Sequence, residues 1–262
     1  MDLARGIGRL RRVGESGWRI AILTFLGTAL AVLLVANLTL GDKVIDQSIP
    51  ALYSVADPQF VRTMSVMLGP ALLPGNRIQA LVNGDQIFPD MLEAIRGARS
   101  TITFEMYIYW KGAIGERFTA ALAERARAGV KVHLLIDALG SQKIEENVIQ
   151  RMKDAGVQVR LYNPLRWNTI ARMNNRTHRK IMVVDGRVGY TGGVGIGDEW
   201  TGNAQDPQHW RDTHFRLEGP AVAQMQAAFM ENWIEVTGDV LHGPEYFPEL
   251  EHAGRALAQF FV

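Results

Sequence analysis

The sequence predicts an α/β fold, a mixed sheet flanked by helices and preceded by one membrane-spanning helix. Three observations carry this. From about residue 76 onward, short β-branched runs alternate with helical runs; glycines follow the ends of several helical runs; and 21 uncharged residues, Ile20 to Leu40, stand together near the N-terminus. Strands separated by crossover helices make an α/β sheet. A 21-residue helix rising ~1.5 Å per residue matches the ~30 Å hydrocarbon core of a bilayer.

The apolar run is read as an uncleaved transmembrane helix, residues 20–40, because it is long for a signal peptide and no small-x-small cleavage site ends it. Residues 1–19 form a basic N-terminus with Arg5, Arg9, Arg11, Arg12 and Arg19, whereas only Lys43, beside Asp42 and Asp46, follows closely. The positive-inside rule therefore puts the N-terminus in the cytoplasm and the rest of the chain outside, a single-pass protein of the cell's inner membrane. Residues 41–75, with Pro50, Pro58, Pro70, Pro74 and Gly75, read as a linker, and residues 76–262 as the folded domain.

Within that domain Ile78–Val82 is expected to be a strand, and Asp85 to cap a helix ending near Arg99. Thr101–Ile108 follows as a buried strand, Glu116–Ala128 as a helix stopped by Gly129, and Val130–Ile136 as a strand. Ile144–Ala155 is a helix stopped by Gly156, and Val157–Leu161 a strand. After an irregular loop, Lys180–Val184 and Val188–Thr191 are strands joined through the turn dipeptide Asp185-Gly186. Thr213–Leu217 is a strand, Pro220–Val236 a helix with Gly238 after it, and Ala256–Val262 resembles the opening of another buried strand.

With 262 residues, 47% of them hydrophobic, the chain can bury a substantial core. Its 28 Lys and Arg nearly balance 27 Asp and Glu, so no global positive field favours sequence-independent nucleic-acid binding. The absence of cysteine excludes disulfides, thiolate metal sites and thiol nucleophiles.

The chemistry concentrates in Thr177-His178-Arg179-Lys180-Ile181-Met182-Val183-Val184-Asp185. Alternate residues of a strand share a face, so His178 and Lys180 are expected to point the same way while Ile181 and Val183 enter the core. An imidazole can attack phosphorus or act as a general acid, and an ammonium beside it can hold non-bridging phosphate oxygens. His-x-Lys followed by four residues and then Asp arises by chance in roughly one chain per hundred of this length. On spacing alone, a solvated basic pair on a surface strand is an equal reading.

The surroundings resemble the phospholipase D superfamily and, within it, the bacterial cardiolipin synthase-like branch. The similar stretches are Val-Asn-Gly-Asp at 82–85, Thr-Phe-Glu-Met-Tyr-Ile at 103–108, Asn-Asn-Arg-Thr-His-Arg-Lys at 174–180, Thr-Gly-Gly at 191–193 and Trp-Arg-Asp-Thr-His at 210–214. The resemblance implies a phospholipase D-like mixed sheet and a covalent phospho-histidine at His178, with Lys180 binding the phosphate and Asp185 supporting the site from below. It implies that Asp212 orients the His178 imidazole. Such a carboxylate would fix one tautomer and free the other nitrogen. Glu105, Tyr107, Asn175, Gly193 and Gly195 are the implied substrate-binding positions, and Asp137 can line the pocket beside them. Gly195 departs from the family, which usually has Asn there.

Family members bring two such motifs together, so that one His attacks and the other protonates the leaving oxygen. Here one motif is present, and the second is expected from a missing C-terminal half or from an identical chain across a two-fold axis. The implied activity is phosphatidyl transfer of the cardiolipin synthase type on a phosphatidylglycerol-like substrate at a membrane, with no cofactor. The alternatives are a phospholipase D-type hydrolase, a single-motif homodimeric nuclease, which the near-neutral charge disfavours, and an inactive truncated half. Asp206, His209, Asp212 and His214 match no standard zinc spacing, so no metal is assigned to them. Trp167, Trp200 and Trp210 are candidates for lipid contact or for the core.

Overall fold

The computed structural model describes residues 3–39, 53–164 and 176–262. The chain divides into two compact units, Met1–Leu52 and Tyr53–Val262.

The first unit is one helix, α1 (Leu3–Thr39). Its stretch Gly17–Ala36 has a mean hydropathy of 2.2 and none of it is buried in protein. Leu23, Phe25, Leu30 and Leu33 all stand exposed. A helix apolar on every side over this length is a candidate to cross a membrane. The apolar stretch begins three residues before the expected span of 20–40, and Leu40 lies outside the described residues.

The second unit opens inside the expected linker. Residues 41–52 lie outside the described residues, but Pro58–Met67 forms α2, with Asp57 as its cap: Oδ1 accepts from the Gln59 amide at 2.7 Å. Strand β1 (Leu73–Val82) starts earlier than Ile78 because Leu73 and Asn76 pair with the late strand β8 (Ala256–Ala258). The remaining elements are α3 (Asn83–Gly97), β2 (Thr101–Met106), α4 (Ala113–Arg127), β3 (Lys131–Asp137), α5 (Glu146–Asp154), β4 (Gln158–Tyr162), β5 (Ile181–Val184), β6 (Val188–Gly192), β7 (Thr213–Glu218) and α6 (Val222–Thr237). Asp85 does not cap α3. The helix begins two residues sooner, at Asn83, whose left-handed φ of 60° is held by bonds exchanged with Asp212: the Asn83 amide donates to its carbonyl at 2.9 Å and the Asp212 amide donates to Asn83 Oδ1 at 3.1 Å. Gly238 ends α6 in the left-handed conformation, φ 76°, as its place after a helical run requires.

The sheet has the order β4-β3-β2-β5-β6-β7-β1-β8. β2, β3 and β4 are parallel; β5 enters antiparallel to β2, and every pairing beyond it is antiparallel. On one face α3, α4 and α5 pack Ile87, Met91, Phe118, Leu122 and Met152 against Ile102, Phe104, Leu134, Met182 and Val184. The opposite face is covered by α6, whose Val222, Met225 and Phe229 meet Ile181, Val183 and Leu135. Both faces of β5 are therefore buried, not only the Ile181–Val183 side. The chain end differs from expectation as well: β8 is a three-residue edge strand paired on one side only, and Leu257 and Phe261 are exposed.

Asp185 and Gly186, with φ of 52° and 63°, are the central residues of the turn in the three-residue connection 185–187 between β5 and β6, closed by the Arg187 amide donating to the Val184 carbonyl at 2.9 Å. The Asp185 carboxylate reaches across to the α3–β2 connection and accepts from the amides of Arg99, Ser100 and Thr101 at 2.7–3.1 Å. Three backbone donors that no ladder satisfies thus find one charged acceptor, and the closed end of β5 is pinned beside the start of β2. Asp185→Asn, which tolerates the same backbone conformation, is expected to lower unfolding free energy by about 2 kcal/mol in a denaturant titration of the full chain.

Candidate active site

β2 and β3 finish, and β5 begins, at the same end of the sheet. There the segment 177–180 runs into β5, which starts at Ile181 rather than at Lys180. Thr177 is fastened twice. Its hydroxyl donates to Glu105 Oε1 of β2, and its amide donates to Asp137 Oδ2 at the end of β3, 3.2 Å away. Asp137 Oδ1 accepts from the amides of Leu139 and Gly140 at 2.8 and 2.9 Å, and Arg176 lies 3.6 Å from it.

His178 follows, exposed, with its ring 4.7 Å from that of Tyr107. Its Nε2 stands 3.4 Å from Lys180 Nζ, and Nζ also donates to the His178 carbonyl at 3.2 Å. Lys180 is buried, and burial lowers its pKa while the Asp212 charge opposes that shift. His178 is lowered too, first by desolvation and then by the Lys180 charge, with Asp137 pulling the other way. A cation in a poorly hydrated site thus faces an imidazole biased toward its neutral form.

Residues 91–233 match the family model described as cardiolipin synthase, PLD-like domain. The chain belongs to the phospholipase D superfamily. A cardiolipin synthase from Geobacillus sp. (strain WCH70) is 39% identical over 176 residues, 66% of this chain and 35% of its own length. Cardiolipin synthase 1 of Bacillus cereus is 38% identical over 180 residues, 65% of this chain and 35% of its own length, and cardiolipin synthase A of Pseudomonas fluorescens (strain SBW25) is 37% identical over 180 residues, 68% and 38%. The chain spans little more than a third of the length of these curated relatives.

The phospholipase D-like domain brings some expected site residues together and separates others. His178, Lys180 and Tyr107 converge. Asp185 does not join them: five residues of extended chain at ~3.3 Å each put it roughly 17 Å from Lys180, where it serves the turn described above. Asp212 does not hydrogen-bond His178. Its Oδ2 accepts from Trp200 Nε1 at 3.0 Å and its Oδ1 from the Thr213 amide at 2.7 Å, leaving its charge to act on Lys180. Glu105 lines no open surface; it is fully buried beneath Thr177.

Gly193 gives the Asp212 carboxylate its room, since a Cβ there would lie 2.3 Å from Oδ1. Gly195 is buried, and a Cβ would come within 2.9 Å of Ile108 and 3.1 Å of Trp200, so the position is packed inward rather than offered to a ligand. Asn175 and Trp167 lie outside the described residues. Asp206 and His209 hold each other at 2.6 Å on the surface, whereas His214 is buried. Trp200 is buried, and Trp210, half exposed, packs edge-on against it at 4.7 Å.

Sequence reasoning missed Asn232 of α6, whose Nδ2 donates to Glu105 Oε1 at 2.6 Å and to Thr177 Oγ1 at 3.2 Å. The available signal was an Asn at helical spacing from Ala228 and Phe229, on the apolar side of the run, where an unpaired amide would be costly. It also missed the charge setting of His214, whose pKa burial and the Lys180 cation push down to about 3.

Burial raises Glu105 to about 7, while it lowers His133 to about 4. The signs oppose. Between pH 7 and 5 the folded state takes a proton at Glu105 that the unfolded chain holds less well, which stabilises the fold on acidification; the two buried histidines bind protons better when unfolded and destabilise it. Glu105→Gln leaves only the histidine contributions, so the variant should lose about 2 kcal/mol more than wild type between pH 7 and 5 in denaturant unfolding. Parallel pH profiles would mean that Glu105 does not titrate there.

Proposed function

We propose that this domain carries the nucleophilic half of a phosphatidyltransferase of the cardiolipin synthase type, anchored by α1. The observation that carries the reading is the exposed, neutral-leaning imidazole of His178 with Nε2 at 3.4 Å from the buried Lys180 ammonium. The curated relatives named cardiolipin synthase, at 37–39% identity, supply the lipid class.

A phosphodiester placed against Lys180 has its non-bridging oxygens neutralised by a cation already stripped of water, where electrostatic stabilisation is strongest. His178 Nε2 attacks phosphorus; an N–P bond forms, the bond to one alcohol oxygen breaks, and that oxygen takes a proton. An acceptor alcohol then attacks, losing its proton as its own O–P bond forms and the N–P bond breaks. Water as acceptor would give hydrolysis instead. The acid that protonates the leaving oxygen comes from a second copy of the motif, in the same protein or in an identical partner. The Asp212 charge opposes the loss of the Lys180 proton that burial favours.

The anchor follows from α1. Arg5, Arg9, Arg11 and Arg12 ahead of Gly17–Ala36, with Arg19 just inside its start, favour a cytoplasmic N-terminus and the domain on the outer face. A reporter fused after Val262 that is active only outside the cytoplasm should therefore be active, and an inactive one reverses the orientation.

In mixed micelles, the purified full chain with labelled phosphatidylglycerol is expected to give labelled cardiolipin and free glycerol. His178→Ala should abolish both, and Lys180→Met should slow them by about 10²–10³-fold through loss of the cation that meets the transition-state charge. Turnover by His178→Ala equal to wild type would refute the covalent route, and phosphatidic acid in place of cardiolipin would identify water as the acceptor.

A further inference from the structure

The α6-facing side of β2 and β3 is unusual for a sheet interior. Thr101, Thr103, Glu105, His133 and Asp137 are all buried, while the alternate residues Ile102, Phe104, Val132, Leu134 and Ile136 fill the large apolar core. A buried polar face costs desolvation, so its bonds must hold something in place. Two of these residues, Glu105 and Asp137, reach one short piece of backbone at Thr177.

His178 lies between two residues tied into α6. On one side the Thr177 hydroxyl donates to Glu105 Oε1, and Asn232 of α6 donates to that same oxygen at 2.6 Å and to the Thr177 hydroxyl at 3.2 Å. On the other, Arg179 donates from Nη1 to the Ala228 carbonyl at 2.8 Å and from Nη2 to Glu231 Oε2 at 3.0 Å. The flanking residues are thus fixed, and the exposed histidine between them meets the Tyr107 ring and Lys180. A further bond, from the Thr177 amide to Asp137, fixes the backbone from the β3 side.

We propose that Glu105, acting through Thr177 together with Asn232, is the positioning residue for His178, and that its charge state sets how firmly the histidine-bearing segment is held. This deepens the phosphatidyltransferase reading and rests on it for the role of His178. As a carboxylate, Glu105 accepts two donors on one oxygen; once protonated, it is a weaker acceptor for both. Glu105 Oε2 has no partner among the described residues, so the whole anchoring load falls on Oε1. The charged and titratable groups around Glu105 are Arg179 on the motif segment, which favours its carboxylate, Glu231 on α6, which opposes it, and Tyr162 on β4, whose hydroxyl feels its charge. Desolvation outweighs these and the two hydrogen bonds, raising Glu105 to about 7. The clamp therefore loosens as pH falls through neutrality, ahead of His178 itself, whose pKa is depressed.

Two measurements on the full chain in micelles test this. In an NMR titration the His178 Cε1 resonance should move in two steps, its own and one near neutral pH belonging to Glu105; Glu105→Gln should remove the second step and keep the first. In the lipid assay Thr177→Val, which removes the hydroxyl at nearly constant volume, should lower kcat about 10²-fold with KM unchanged, the size of effect expected of a small misplacement of an attacking group. Thr177→Ser should restore the rate. A His178 titration identical in Glu105→Gln and wild type, or full kcat in Thr177→Val, overturns the proposal. Should the valine variant fail to fold, the titration and the serine variant still decide it. Absence of lipid turnover in wild type would count against the transferase reading, while the titration would judge the clamp on its own.

Discussion

The site depends on how β5 enters the sheet, because His178 and Lys180 have no secondary structure of their own and take their place from the strand they lead into. β5 is antiparallel to β2, and a carboxylate fixes it near each end. At the turn, Asp185 gathers the amides of residues 99–101; at the open end, Glu105 and Asp137 receive Thr177. A strand of four residues has few ladder bonds with which to set its own register, and a slip of one residue would exchange its buried faces. The two clamps remove that freedom, so the position of the histidine is fixed by acids that never touch it.

The electrostatics follow from the same enclosure. Lys180 is buried against the His178 carbonyl with Asp212 as its counter-charge, and Asp212 is in turn held by Trp200 and by its own neighbour's amide. Fixing the anion elsewhere leaves the ammonium neutralised at a distance instead of capped by direct contact. The protons it does not donate to the His178 carbonyl are thus not claimed by that carboxylate. His214, buried nearby and kept neutral, adds no second positive charge that would compete with Lys180.

Much of this was legible in the sequence, and the residues that were not have a common reason. The strands and helices from Thr101 to Thr237 announced themselves through period-two and helical apolar patterns, and Asp185-Gly186 through turn chemistry, because those signals are local. The motif histidine and lysine were found by spacing and resemblance. The partnerships of Glu105 and Asn232 were not, since they pair across a separation that no short pattern encodes: Asn232 lies 127 residues from Glu105. The early start of β1 and the brevity of β8 had the same origin, as the two strands define one another only once the chain has closed.

The packing around Gly195 has a consequence for how this domain can change. A Cβ at that position would meet Ile108 at 2.9 Å and Trp200 at 3.1 Å, and Trp200 is also the residue that steadies Asp212. The atom met first at 108 is the Cβ, which every residue but glycine carries, so trimming that side chain would not make room. Any larger residue at 195 therefore has to move backbone or press on Trp200, and a change made to line the pocket differently is carried through Trp200 to the carboxylate it steadies.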